Sequence, residues 1–514
     1  MNNKIVVVIP IAGKSTRFKR EGFLTHKAFL DINSKFILLE IINRFPEEIF
    51  TPCIVCTKNQ FYEYKSYFEI LLSSYPDLII KEIEDHDLGP TYSVRQIDIE
   101  EEIPVLVHYC DFLVDMDFLE LAKNIRKGLI CAPYFSGFHP ASLGSTKFAY
   151  MKLNPNGYMI TLKEKSSFTD NRIQEPCSTG IYAFPSFKIF KLLADQLLAS
   201  PNSWGQSESY TSLCLNLAIE NRYKVFCQEV SKFICLGTPR DYKEYKYWEY
   251  LWKRYYSDNE KEKTYEHHII TAAGEGSRFK NYGYRIPKIF IDFDGKLLLE
   301  HAISSIKSKQ KTIITLESYR NKIKKIKHYD FLNNHFLDKT PNGQLYTLFE
   351  YLSSNKIKEN FFVSSADYKF NLSDKNLENL IKDKDPDIII LTTAWNEFAF
   401  ESPDNYGFIS CTESGNVQKI IEKPKNKLKD EQLNSLLIGT FWFKSSGIIN
   451  SLIKNNHSKD ELFIAKTIGK NLSDYKVYKL NVNYWLSLGT PKELHLSEYW
   501  LDFFKNKYNK QLKN

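Results

Sequence analysis

The chain has 514 residues. That is too long for one hydrophobic core, so two or more domains are expected. Its 43% hydrophobic and 25% charged content is ordinary for globular chains and excludes a disordered or fibrous class. The 69 basic and 62 acidic residues leave a net charge of +7. No basic block stands out beyond short lysine-rich faces such as residues 321–327, NKIKKIK, which read as solvated helix surface and argue against nucleic-acid binding.

Residues 1–13 run straight into a strand and a loop without a cleavage-site pattern, so no signal peptide is expected. No apolar stretch approaches the roughly 18 residues that cross a bilayer. Nine irregularly spaced cysteines make no disulfide framework, and Cys53 and Cys56 read as buried thiols within a strand. The chain therefore reads as a cytoplasmic protein with no membrane insertion.

Residues 1–250 alternate short apolar runs with helical patterns, as α/β units do. Strands of a largely parallel sheet are predicted at 4–10, 53–56, 105–108 and 129–132. Helical spacing marks 38–44, 61–72 and 118–125. An aromatic amphipathic helix over 240–256 closes this half, and the polar stretch 257–267 follows. The second half repeats the plan and ends on an aromatic helix over 492–508.

The plan is organised around two near-copies, residues 6–31, VVVIPIAGKSTRFKREGFLTHKAFLD, and residues 268–292, HIITAAGEGSRFKNYGYRIPKIFID. Each runs from a buried-strand pattern into a small-residue turn. The first turn holds Ala12, Gly13 and Arg17; the second holds Ala273, Gly274, Gly276 and Arg278. Lys27 and Lys288 follow at equal spacing. A glycine turn at the end of a strand lets backbone N–H groups approach an anion. An arginine offers a planar fork to phosphate oxygens and a lysine a compact point charge. The turn is neither a P-loop nor a dinucleotide fingerprint, because its residues and glycine spacing match neither.

Further landmarks recur in the same order. Gly89 matches Gly343, and Asp111 matches Asp367. Phe148, Gly157 and Glu164-Lys165 match Tyr406, Gly415 and Glu422-Lys423. Gly237-Thr-Pro matches Gly489-Thr-Pro, and Trp248 matches Trp500. This order implies a duplicated domain of about 250 residues. Asp111 and Asp367 follow strand patterns, where α/β sheets place ligand sites, and a carboxylate there suits Mg²⁺. The competing reading is a helix cap. Asp115 and Asp117 read as helix-start residues. Glu164-Lys165 and Glu422-Lys423 pair an acceptor for sugar hydroxyls with a phosphate binder. Neighbours on a strand face opposite ways, so both reach one ligand only if the strand ends there.

Taken together, these motifs resemble the nucleotide-sugar pyrophosphorylases, or sugar-1-phosphate nucleotidyltransferases, over both halves. The resemblance implies an α/β fold of two tandem Rossmann-like nucleotidyltransferase domains, each a mixed, mostly parallel sheet flanked by helices. Their expected bounds are 1–256 and 267–514, with a linker at 257–266. It implies transfer of a nucleotidyl group from an NTP to a sugar or polyol phosphate, with release of pyrophosphate and Mg²⁺ as cofactor. Arg17 and Arg278 would hold the pyrophosphate, and Lys27 and Lys288 the triphosphate. Lys165 and Lys423 would hold the incoming phosphate, and Asp111 and Asp367 the metal. Ala12, Gly13, Gly89, Gly180, Ala273, Gly274, Gly276, Gly343, Gly407 and Gly439 would shape the substrate site, with Glu164 and Glu422 on sugar hydroxyls. A supply role for surface polysaccharide is implied, and a homo-oligomer is compatible with it.

Departures from the family pattern fall mostly in the first half. Ser15 stands where the turn usually has a second glycine, and His26 and Ala28 flank Lys27 in place of prolines. Cys235 and Ser487 occupy positions that often carry a second metal-binding aspartate. The first half also carries polar segments at 137–146 and 169–172 without later equivalents, which suggests either a distinct acceptor pocket or long ordinary loops. Three alternatives stay open: one half is a binding module, the chain is a glycosyltransferase, or the acceptor is another alcohol phosphate.

Overall fold

The computed structural model describes residues 4–143, 148–200, 208–257, 263–326, 332–400, 402–424, 434–454 and 462–511. Residues 258–262 of the expected linker, 144–146 of the polar segment, 1–3 of the amino-terminal stretch, and Lys327 lie outside the described residues. The chain divides into two compact units, Met1–Tyr247 and Trp248–Asn514, and the division falls inside the helix Pro239–Ser257.

In the first unit seven strands form the main sheet: β1 (Ile5–Pro10), β2 (Phe50–Thr57), β3 (Ile79–Ile83), β4 (Val105–His108), β5 (Ile130–Cys131), β6 (Ile181–Phe184) and β7 (Val225–Phe226). Their order across the sheet is β7-β5-β6-β4-β1-β2-β3. The β1, β2, β3 and β4 neighbours are parallel, and β6 runs antiparallel to both β4 and β5. All of β1 except Pro10 is buried, as expected of a strand covered on both faces. A second, four-stranded sheet has the order Met159–Glu164, Ala149–Leu153, Cys177–Ser178, Tyr134–Phe135.

The second unit has β8 (Tyr265–Ala272), β9 (Ser308–Leu316), β10 (Leu332–Leu337), β11 (Phe361–Ser365), β12 (Ile388–Thr393), β13 (Leu436–Phe443) and β14 (Val477–Asn481). Their order is β10-β9-β8-β11-β13-β12-β14. Strand for strand this is the order of the first sheet, including the antiparallel strand, here β13, next to the central β11. The fold is therefore α/β with two mixed, mostly parallel sheets flanked by helices.

Most elements read from the sequence lie where expected, with ends shifted by a few residues. The 61–72 helix is two helices, Lys58–Glu63 and Lys65–Ser74, meeting at Tyr64. Asp117 caps the helix Phe118–Arg126, accepting from the N–H groups of Leu119 and Glu120. Asp115 differs from its expectation: it ends the strand Phe112–Asp115 and pairs with Arg44. Cys53 and Cys56 are fully buried in β2, and burial pushes each thiol up to about 12.

Candidate functional site

Because β1 and β4 are parallel neighbours, with Val8 beside Val107, their carboxyl ends share one edge. That register brings the turn after β1 next to Asp111, which follows β4. The same holds for β8 and β11, where Thr271 pairs with Ser365. Asp111 is not a helix cap, since the next element is the strand Phe112–Asp115. Asp111 and Asp367 instead receive the lysines of the two near-copies. Lys27 Nζ lies 2.7 Å from Asp111 Oδ2, and Lys288 Nζ pairs with Asp367 Oδ2. Burial works against the charge on Lys27, but Asp111, joined by Cys110 and Cys235, works the other way and the lysine pKa is raised overall.

The two turns reach one shape by different chemistry. Ser15 is left-handed at φ 49°, and Gly276 holds the same place at φ 64°. Ser15 Oγ accepts from the Lys27 N–H at 3.3 Å. A Cβ on Gly276 would lie 3.0 Å from Lys288 Cβ, so glycine keeps this turn against its lysine. His26 replaces the usual proline by latching the turn. Its Nε2 lies 2.9 Å from the Gly13 carbonyl, and its Nδ1 accepts from the Ala28 N–H at 3.2 Å. A Cβ on Gly13 or Gly274 would meet nothing within 4 Å, so both backbones face open space. Ala12 and Ala273 are buried at the base of the turns. Arg17 and Arg278 are exposed in the first turn of the short helices that follow.

The Glu-Lys pairs resolve the problem of opposite faces. One strand ends on Glu164 and the other on Glu422. The next residue then turns left-handed, Lys165 at φ 54° and Lys423 at φ 45°. Lys165 N–H donates to the Phe148 carbonyl at 3.0 Å, and Lys423 N–H to the Tyr406 carbonyl at 2.8 Å. The corner forms with proline after Lys423 and without it after Lys165. Glu164 accepts from the Ser212 hydroxyl at 2.6 Å, and burial raises its pKa. Gly407 pairs with Glu422 across the hairpin.

Sequence reasoning missed the segment against which these lysines rest. Lys165 Nζ sits 4.6 Å over the Tyr210 ring, and Lys423 Nζ sits 4.8 Å over the Phe463 ring. The preceding residues, Ser209 and Leu462, receive the N–H groups of Thr91 and Leu345. They also fill the space in front of the two capping glycines. A Cβ on Gly89 would lie 2.6 Å from Ser209 N, and one on Gly343 2.5 Å from Leu462 O. Arg17 is close enough to act on the Tyr210 hydroxyl. Ser-Tyr and Leu-Phe share too little for the sequence to signal the match. Gly180 and Gly439 both have positive φ and sit by the same edge, one against Phe112 and Tyr109, the other beside Tyr368 and Ser365.

A second missed feature is an acid four residues after each Gly-Thr-Pro glycine. Asp241 accepts from the Thr238 hydroxyl at 2.6 Å and lies 3.4 Å from the Cys235 sulfur. Glu493 is 1% exposed and takes the Tyr406 hydroxyl. Burial raises its pKa, while hydroxyls of Tyr406, Ser487 and Thr490 oppose that rise. Such acids look like ordinary helix N-terminal residues in a sequence. The polar segment at 169–172 is a local clasp, with the Thr169 N–H and hydroxyl both 2.6 Å from Glu175. Among the described residues no three His, Cys, Asp or Glu side chains gather as a metal cluster, and no helix is long and apolar enough to cross a membrane.

Residues 267–499 match the protein-family model described as nucleotidyl transferase. The chain is 30% identical over 234 residues to the bifunctional protein GlmU of Methanococcus aeolicus, covering 44% of this chain and 52% of that protein. It is 25% identical over 254 residues to the bifunctional protein GlmU of Methanococcus vannielii, covering 48% and 58%. The chain thus spans about half the length of these curated relatives. A solved nucleoside-diphosphate-sugar pyrophosphorylase from Vibrio cholerae RC9 is 18% identical, covers 46% of this chain and 98% of its own, and superposes with a TM-score of 0.39.

Proposed function

We propose that the chain transfers a nucleotidyl group from an NTP to a sugar 1-phosphate or polyol phosphate, releasing pyrophosphate, a reading supported by the match of residues 267–499 to the nucleotidyl transferase family model. The observation that carries this reading is the grouping of turn, lysine and aspartate at one sheet edge, present in both units. We extend the assignment to both halves, 1–256 and 267–514, because the two sheets share one strand order. The acceptor phosphate is already anionic near neutral pH, so attack at the α-phosphorus needs no general base. Positioning and charge neutralisation do the work.

In this reading the open backbones at Gly13 and Gly274 receive the triphosphate. Lys27 and Lys288 steady it, and Arg17 and Arg278 hold the departing pyrophosphate. Lys165 and Lys423, propped on Tyr210 and Phe463, hold the attacking phosphate. Glu164 and Glu422 accept from substrate hydroxyls. Asp111 and Asp367 offer carboxylate oxygens of the kind Mg²⁺ favours and would hold the ion. When bound, the ion neutralises charge on the transferred group. A supply of activated sugars or polyols for surface polysaccharide fits this reading, and a cytoplasmic NTP pool fits the expected location.

A pyrophosphate-release panel on the full chain tests the reading, crossing the common NTPs with sugar and polyol phosphates. Arg17→Ala and Arg278→Ala each lower turnover by roughly 100-fold for the half they serve. Loss from only one substitution assigns catalysis to that half. A chain that releases no pyrophosphate with any pair, yet consumes a nucleotide sugar, is a glycosyltransferase instead.

A further inference from the structure

The nucleotidyl-transfer reading leaves open what stands beside Asp111 and Asp367, and the two halves differ there. Gly237 and Gly489 occupy equivalent places and serve as one ruler. A Cβ on Gly489 would lie 3.0 Å from Asp367 Oδ2 and 3.5 Å from Glu493 Oε2. A Cβ on Gly237 would lie 3.2 Å from Asp111 Oδ2 and 3.7 Å from the Cys235 sulfur. Where the second half places a carboxylate, the first places a thiol.

Side-chain length and partners account for the difference. Glu493 reaches forward and is braced by the hydroxyls of Tyr406, Ser487 and Thr490. Asp241 is one methylene shorter and is held back on Thr238, behind Cys235. Phe148 stands where the second half has Tyr406, so the first half also lacks the bracing hydroxyl. Ser487 at the family's usual second-ligand position is a weak donor, but the acid it touches is not.

We propose that Glu493 supplies the second carboxylate of a divalent-cation site centred on Asp367, and that the first half lacks this pair. Two neighbouring carboxylates repel each other unless they share a cation, and a hard ion favours oxygen over a thiol. The proposal rests on the nucleotidyl-transfer reading for the ion's use, while ion binding can be read on its own. Lys288, now paired with Asp367, would be released to phosphate with an ion bound there.

The test uses the full chain and Mn²⁺ alone, with free Mn²⁺ read by electron paramagnetic resonance. Wild type binds one ion. Glu493→Gln and Asp367→Asn each weaken that binding by roughly 10-fold or more, and Asp241→Asn leaves it unchanged. Tyr406→Phe keeps both carboxylates and keeps the ion. Glu493→Gln combined with Ser487→Asp restores binding, and Cys235→Asp adds a second ion in the first half, an arm that does not depend on how Glu493→Gln folds. Wild-type binding in Glu493→Gln, loss in Tyr406→Phe equal to that in Glu493→Gln, or no second ion in Cys235→Asp overturns the proposal. Pyrophosphate release with unaltered Mn²⁺ binding in Glu493→Gln sinks this inference alone. Mn²⁺ binding without any pyrophosphate release sinks the nucleotidyl-transfer reading alone.

Discussion

His26 shows how one side chain ties the turn to the rest of the site. It is 3% exposed, and its pKa falls to about 4, first through burial and then through Lys27. The neutral ring suits its bonds to Gly13 and Ala28. An unfolded chain takes up the proton near the ordinary value of about 6.5, whereas the fold resists it until about pH 4. The stabilisation is therefore complete above about pH 6.5 and is lost as the pH falls toward 4, at most about 3 kcal/mol. His26→Gln removes this titration. Urea unfolding of both proteins across that range should show the wild-type advantage shrinking with acid; a constant difference would refute the latch. Pro287 holds the matching place in the second half, so the second turn has no titrating latch of this kind.

At the level of turns and helix starts, the glycines separate into two kinds with opposite expectations. Gly89 and Gly343 have φ of 95° and 106°, and a methyl group on either would run into backbone atoms of Ser209 or Leu462. Gly89→Ala and Gly343→Ala should each cost roughly 2 kcal/mol or more, read as a lower denaturant midpoint. Gly13 and Gly274 face open space, so Gly13→Ala and Gly274→Ala should stay within about 0.5 kcal/mol of wild type. The same two changes should raise the KM for the NTP by about tenfold, because a methyl group keeps phosphate oxygens from the backbone. Unchanged KM values would remove the turns from the triphosphate site.

The same scale shows what the sequence could and could not reveal. The turns, their lysines and the aspartates were legible because each lies at a fixed spacing from a buried strand. The left-handed corner at Lys165 was not, since no proline announces it, and only the hydrogen bond to Phe148 shows it. Ser209-Tyr210 and Leu462-Phe463 were hidden because their role is to meet glycines more than a hundred residues away in the chain. Asp241 and Glu493 were hidden because acids are common in first turns of helices. Within the polar segment at 169–172, which read as part of a pocket, the Thr169 N–H and hydroxyl both bond to Glu175.

For the whole molecule the question is whether one chain carries two acceptor sites or one. Each half presents its own lysine at a left-handed corner over an aromatic ring, but the surroundings differ. Lys165 also reaches the Tyr210 hydroxyl at 3.2 Å, a bond Phe463 cannot offer to Lys423. Glu164 is held by Ser212, while the strand ending on Glu422 leads into Pro424. Under the proposed roles of these lysines and glutamates, such differences favour different acceptors. Lys165→Ala and Lys423→Ala, made separately in the full chain, should each raise the KM of one acceptor phosphate by roughly 10-fold to 100-fold and leave the KM for its NTP nearly unchanged. Two acceptors, each sensitive to only one lysine, would mean a chain that activates two compounds. One acceptor sensitive only to Lys423 would leave the first half as a binding module, in keeping with the thiol beside Asp111. Equal NTP and acceptor effects would place these lysines on the triphosphate instead.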